Sequence, residues 1–179
     1  MELSFNYDDF KSVFNSSLQG ALDDDLDLAD CYMEIYNLII KYFPECIKKN
    51  ELGGDEDTPT YLCDRPLEHG LGWTQINKKT RALEKVLIST IILDFDDLYY
   101  YSVVAHEAAH VAAYNYILNQ DETVQPDLFN EWKETKGHTK KWHEIVNKLN
   151  SIKRKSTGEP AFEIIEMIDD EALKNYFKM

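Results

Sequence analysis

Residues 98–118 read LYYYSVVAHEAAHVAAYNYIL, and this stretch predicts a long α-helix. It contains five alanines, the strongest helix formers, and neither glycine nor proline interrupts it. Apolar residues occur nearly all round the helix, so we expect it to be buried. The other elements are therefore expected to pack around it.

The same stretch carries the sequence His106-Glu107-Ala108-Ala109-His110. On an α-helix, positions i and i+4 share one face, so the two imidazoles can converge on one point. Two neutral imidazoles placed in this way suit Zn²⁺, and Glu107 is placed to act on water as a general base. These polar groups are costly on a buried helix without a partner, and a metal ion is a suitable partner. The alternative is a chance pattern on a core helix, with both histidines bonded to backbone carbonyls.

Length and composition indicate a soluble globular protein. The chain has 179 residues, 44% of them hydrophobic, which is enough for one domain with a sizeable core. No apolar run approaches the roughly 20 residues of a membrane span, and the N-terminus, MELSFNYDDFKSVF, does not resemble a secretion signal. The three cysteines are widely spaced and odd in number, which argues against a disulfide framework. We therefore expect a cytoplasmic protein with no membrane contact.

Charge is distributed unevenly along the chain. The net charge is −14, of which residues 1–60 contribute −10, whereas residues 131–158 carry a balance of +5. Such asymmetry can create a local basic face on an acidic protein, so non-specific binding to DNA stays open. Ordinary solvated helix faces are the alternative interpretation.

The segments ahead of the HEAAH helix predict two helices followed by a small sheet or hairpin. One helix is expected over residues 5–19, and a second begins in the acidic run 23–30 and ends at Pro44. Residues 50–60 are expected to form a loop. The remaining predictions are strands over Thr74–Asn77 and Val86–Leu93, a turn at residues 77–80, and a helix cap in the sequence DFDD at 94–97.

Beyond the HEAAH helix, residues 127–150 resume helical character with an interruption at Gly137. Residues 151–160 are expected to be a linker, and residues 161–177 an amphipathic helix that either docks on the domain or contacts a partner. The predicted organisation is therefore one domain over residues 1–150, followed by a linker and helix over residues 151–179.

A catalytic zinc ion needs a third protein ligand and one position left for water. A backbone turn at Gly137 can aim His138 back at the HEAAH helix. His143 lies five positions on and is expected at the surface or just outside the metal ligands. His69 lies beside Gly70 and Gly72 and is expected in a loop, with the edge of the site as the alternative. The downstream carboxylates also remain candidate ligands, namely Glu131, Glu134 and Glu144.

The sequence HEAAH followed by GHTKKW resembles the SprT-like family of zinc metallopeptidases, which includes the Spartan-type proteases. The upstream stretch GWTQINKKTRALEKVLISTIIL resembles the hairpin and apolar strand that precede the active-site helix in that family. The resemblance covers roughly residues 70–150. It implies a zincin-like α+β fold, mostly helical, with His106, His110 and His138 as zinc ligands and Glu107 in catalysis. It also implies proteolysis of DNA-bound or DNA-crosslinked proteins.

The sequence therefore predicts an intracellular zinc metalloprotease whose substrates are proteins or peptides, with DNA-associated proteins as one class. The main alternative is a non-catalytic interaction protein on a zincin scaffold, with an acidic surface that binds a partner or mimics a nucleic acid. A hydrolase of a non-peptide bond could use the same residues. Glu107 favours an enzyme, because structural zinc sites fill all four positions with ligands and need no adjacent base.

Overall fold

The computed structural model describes residues 4–5, 21–55, 58–63, 71–94 and 96–166. Within these ranges the fold is α+β, with four α-helices and a three-stranded sheet that precedes the HEAAH helix in the chain. The predicted α+β class is confirmed. Residues 6–19 of the predicted first helix, and His69, lie outside the described residues.

The helices are α1 (Ala21–Tyr42), α2 (Asp97–Leu118), α3 (Gln125–Glu134) and α4 (Lys140–Asn150). The strands are β1 (Ser4–Phe5), β2 (Thr60–Cys63), β3 (Gly72–Ile76), β4 (Leu83–Ser89) and β5 (Lys153–Arg154). Two short 3-10 helices lie at Pro44–Cys46 and Thr90–Asp94.

Helix α1 forms where the acidic run and the apolar spacing predict it, and it ends just ahead of Pro44. Its buried side chains recur every three or four residues, so one stripe of the helix faces the core. They are Leu28, Cys31, Tyr32, Ile35, Tyr36 and Ile39.

The sheet has the order β2-β4-β3, with β4 parallel to β2 and antiparallel to β3. The turn predicted at residues 77–80 joins β3 to β4, and it is closed by a 2.8 Å bond from the Asn77 amide to the Ala82 carbonyl. The strand predicted over Val86–Leu93 is wrong in its second half, because β4 ends at Ser89. There the chain turns away from the sheet, and the resulting 3-10 helix buries Ile92. A run of β-branched residues predicts that the segment is buried. It does not determine whether the buried segment is a strand or a 3-10 helix.

Helix α2 is the centre of the molecule. It packs against α1, α4 and β3, and its residues are buried nearly throughout. The cap predicted in DFDD is confirmed, since the Asp96 carboxylate accepts a 3.0 Å bond from the Tyr99 amide. Among the described residues, no helix combines the length and apolarity needed to cross a membrane.

The chain after α4 returns to this core. Ile152, Ala161 and Phe162 are at most 1% exposed and belong to the same cluster as α2. The helix predicted over residues 161–177 is wrong for residues 161–166, which are not helical. Their amides bond to other elements rather than to carbonyls four residues earlier, as in the 2.9 Å bond from Ala161 to the Ile152 carbonyl. Residues 167–179 lie outside the described part of the chain, and the division at residue 150 stays a prediction.

Candidate metal centre

Three histidines from two parts of the chain converge. His106 and His110 lie one turn apart on α2, and His138 lies in the turn between α3 and α4. The Nε2 atom of His106 is 3.1 Å from that of His110 and 3.3 Å from that of His138. One ligand atom from each of the three lies within 4.8 Å of the other two, so this group could hold a metal ion.

The turn that brings His138 to this point depends on its backbone. Lys136 and Gly137 both have positive φ, at 52° and 86°, and together they reverse the chain between the helices. A Cβ atom on Gly137 would lie 2.9 Å from His110 Nδ1 and 3.1 Å from Trp132 Cζ2. Glycine is therefore required both by the dihedral angle and by the close approach. The sequence predicts that a turn at Gly137 directs His138 toward the HEAAH helix, and the structure has this turn.

Each imidazole has a backbone carbonyl at its Nδ1 atom. The partners are Ile165 for His106 at 2.9 Å, Gly137 for His110 at 3.1 Å and Thr135 for His138 at 3.2 Å. A carbonyl can only accept a hydrogen bond, so this arrangement favours the tautomer with the proton on Nδ1. All three Nε2 atoms then present lone pairs toward one another, an arrangement that a cation stabilises.

Burial keeps these imidazoles neutral. Desolvation, reinforced by His138, lowers the pKa of His106 to about 4. Burial also lowers the pKa of His110 well below its usual value, and it lowers the pKa of the less buried His138. Neutral imidazole is the form that binds metals, so the site is in its ligating state at neutral pH.

An indole ring packs against the whole cluster. Trp142 is 1% exposed, and its ring centroid lies 4.6 Å from that of His138 and 4.9 Å from that of His106. Its Nε1 atom donates a 3.3 Å bond to the His106 carbonyl. Trp132 covers His110 from another side, with 5.7 Å between ring centroids. These indoles restrict the orientations of the imidazoles and exclude water behind them.

Glu107 faces the sheet. It is 4% exposed, and the Thr74 hydroxyl in β3 donates a 2.7 Å bond to its Oε2 atom. A Cβ atom on Gly72 would lie 2.5 Å from Glu107 Oε1, so the carboxylate lies directly against the strand. Burial raises the pKa of Glu107 to about 7, although the bond from Thr74 opposes that shift. The group can therefore both accept and release a proton near neutral pH.

The other candidate ligands lie outside this cluster. The side chain of His143 is 46% exposed, and its Nε2 atom lies 3.8 Å from a Glu166 carboxylate oxygen. Glu131 accepts a 2.7 Å bond from the Lys140 amide, Glu144 pairs with Lys141 at 2.7 Å, and Glu134 is exposed. Among the described residues, the three histidines form the group that could hold a metal ion.

Thr74 and Gly72 are site residues that the sequence did not identify. The sequence GWT lies in a predicted strand, but nothing local to it indicates contact with Glu107, which is 33 residues away. Their role arises from the packing of β3 on α2 and becomes visible only in three dimensions.

In comparisons with known proteins, no protein-family model, no curated protein and no solved structure matches this chain.

Proposed function

We propose that this chain is a zinc-dependent metallopeptidase with a zincin-like fold, related to the SprT-like family, that hydrolyses peptide bonds in proteins. The observation that carries the proposal is the convergence of the Nε2 atoms of His106, His110 and His138, together with the buried Glu107 next to His106 in the chain. The two local features that produce it are an i, i+4 histidine pair on a helix and a glycine turn that returns a third imidazole.

Two of the three distances between the donor atoms fit zinc. Two nitrogens bound at 2.0–2.1 Å to a tetrahedral ion lie about 3.3 Å apart. The Nε2 atoms of His110 and His138 lie 3.1 Å and 3.3 Å from that of His106. Three histidines also leave one position for water or substrate, as catalytic zinc sites do.

The ion would supply Lewis acidity, polarising the scissile carbonyl and acidifying water in the site. Glu107 takes a proton from that water as it attacks the carbonyl carbon, and it then delivers the proton to the leaving amine. Without a metal ion, burial raises the pKa of Glu107 to about 7. A bound cation would lower that pKa and favour the carboxylate form that accepts the proton. Thr74 holds the carboxylate in place through its 2.7 Å bond and is a positioning residue.

DNA-associated proteins are part of the proposal as one substrate class. Exposed lysines near His138 support it, namely Lys133, Lys136 and Lys140. Lys141 does not add to this basic face, because its amine pairs with Glu45 at 3.2 Å and with Glu144 at 2.7 Å. Cleavage assays with and without duplex DNA, at two salt concentrations, test whether the basic face recruits substrates.

The Glu107→Gln variant tests the reaction. It keeps the size of the side chain and can still accept the bond from Thr74, so zinc should remain bound. Cleavage of a denatured protein should fall by a factor of 100 or more, because the general base is lost. Glu134→Gln, at an exposed position of α3, is the matched control and should cleave like the wild type.

A Glu107→Gln variant that cleaves normally would exclude Glu107 as the base. Zinc binding in the wild type without hydrolysis of any peptide would instead favour the non-catalytic interaction protein.

A further inference from the structure

Residues 161–166, here called the C-terminal segment, run along the outer side of the metal centre. The Ile165 carbonyl oxygen lies 2.9 Å from His106 Nδ1. Glu166, the next residue, places its carboxylate oxygens 3.9 Å from His138 Nδ1 and 3.8 Å from His143 Nε2. The segment therefore approaches two of the three converging histidines from the side opposite their Nε2 atoms.

The segment is held by two polar side chains from different helices. The Asn150 side chain accepts a 2.8 Å bond from the Ile164 amide and donates a 3.0 Å bond to the Ile164 carbonyl. The Ser102 hydroxyl accepts a 2.9 Å bond from the Glu163 amide. Phe162, which is 1% exposed, anchors the start of the segment in the core. These contacts lie within three residues of Ile165 and thereby fix its carbonyl.

His106 differs from the other two histidines in the origin of its Nδ1 partner. His110 and His138 bond to Gly137 and Thr135, in the turn that also carries His138. His106 bonds to a carbonyl 59 residues further along the chain. Outer partners of this kind fix the tautomer and the ring orientation of a metal ligand, and their loss commonly weakens metal binding 10- to 100-fold.

We propose that the C-terminal segment supports the metal centre by holding one of its ligands in place. Ile165 positions His106, and docking of the segment on Asn150 and Ser102 controls how tightly the site holds its ion. The inference depends on the proposed function in one respect, namely that the site binds zinc. Displacement of the segment from α4 would release zinc without any change in the three ligands themselves.

The test is a zinc titration of the full chain in competition with a chromophoric chelator. Asn150→Ala removes both bonds to Ile164 and should weaken zinc binding about tenfold or more. Asn119→Ala is the matched control, because the Asn119 amide also donates two bonds to backbone carbonyls, at 3.1 Å and 2.7 Å. Asn119 lies nine residues after His110, about 13 Å along the helix axis, so this variant should bind zinc like the wild type.

A second readout separates positioning from general loosening. In the zinc-free protein, the nitrogen-15 resonances of His106 should report a proton on Nδ1. Asn150→Ala should mix the His106 tautomers and leave His110 unchanged. Asn150→Asp keeps the acceptor for the Ile164 amide and should restore part of the affinity. If Asn150→Ala does not fold, Ser102→Ala removes the anchor at Glu163 and should weaken zinc binding in the same direction.

Equal zinc affinities for folded Asn150→Ala and Asn119→Ala, with an unchanged His106 tautomer, would overturn the inference. Failure of the proposed function has a different signature, in which the wild type binds one zinc ion but hydrolyses no peptide. A wild type that binds no zinc would also exclude the metallopeptidase, and the tautomer measurement would still decide whether Ile165 positions His106.

Discussion

Gly137 determines whether His138 can reach the cluster. Its φ of 86° belongs to the left-handed region, and a side chain there would meet His110 and Trp132. Gly137→Ala should therefore lower the free energy of unfolding by about 1–3 kcal/mol and weaken zinc binding, because the turn and His110 must both shift. Chemical denaturation and a zinc titration measure the two effects.

Gly158 provides the matched control for this prediction. Its φ is 73°, but a Cβ atom there would meet nothing within 4 Å. Gly158→Ala should cost about 1 kcal/mol through its backbone alone and leave zinc affinity unchanged. Equal zinc affinities in the two variants would contradict the role assigned to Gly137.

Thr74 lowers the proton affinity of Glu107, whereas burial, the larger effect, raises it. The 2.7 Å bond from Thr74 favours the charged carboxylate, so the Thr74→Val variant should have a higher Glu107 pKa than the wild type. The acidic limb of the pH–activity profile should then move to higher pH, with the maximal rate less affected. Thr80→Val, in the exposed turn of the same hairpin, should leave the profile in place. A profile that does not move in Thr74→Val would remove Thr74 from the site.

At the residue scale, the histidine pair and Glu107 are predictable because α-helical geometry fixes where positions i and i+4 point. His138 is predictable because Gly137 indicates a turn directly before it. The Ile165 carbonyl at His106 Nδ1, and Thr74, are not predictable, since each results from packing between distant segments.

At the element scale, helices with clear starts and stops are predictable. Helix α2 begins at a capping aspartate, and α1 ends at a proline, so local chemistry fixes both ends. The segments 90–94 and 161–166 differ from prediction because their backbones follow tertiary partners. Apolar spacing in residues 161–166 suggests a helix, but the Asn150 side chain bonds to both the amide and the carbonyl of Ile164. The Ser102 hydroxyl accepts a bond from the Glu163 amide, and these contacts hold the backbone in a non-helical form.

At the scale of the whole molecule, zinc should stabilise the fold. A ligand bound only by the folded state, at a thousand times its Kd, adds about 4 kcal/mol to the free energy of unfolding. Removal of zinc by a chelator should therefore lower Tm, and added zinc should restore it. An unchanged Tm would indicate that no ion binds at micromolar concentrations.

The stability of the zinc-free protein should depend on pH in a defined direction. Histidines in the unfolded chain take up protons below about pH 6.5, whereas His106 in the fold does so only near pH 4, so stability falls as pH falls through this window. The raised pKa of Glu107 acts in the opposite sense. The free energy of unfolding should therefore fall more steeply from pH 7 to pH 4 in Glu107→Gln than in the wild type. Chemical denaturation at several pH values measures this difference.

We expect His106, His110 and His138 to hold one zinc ion together. X-ray absorption spectroscopy at the zinc edge, on protein with its zinc content measured, reports the ligands of that ion. The expected result is one zinc per chain with three imidazole nitrogens at about 2.0–2.1 Å. His138→Ala should lose one of these nitrogens or the ion itself, and the exposed His143→Ala should match the wild type. An unchanged spectrum and zinc content in His138→Ala would exclude His138 as a zinc ligand.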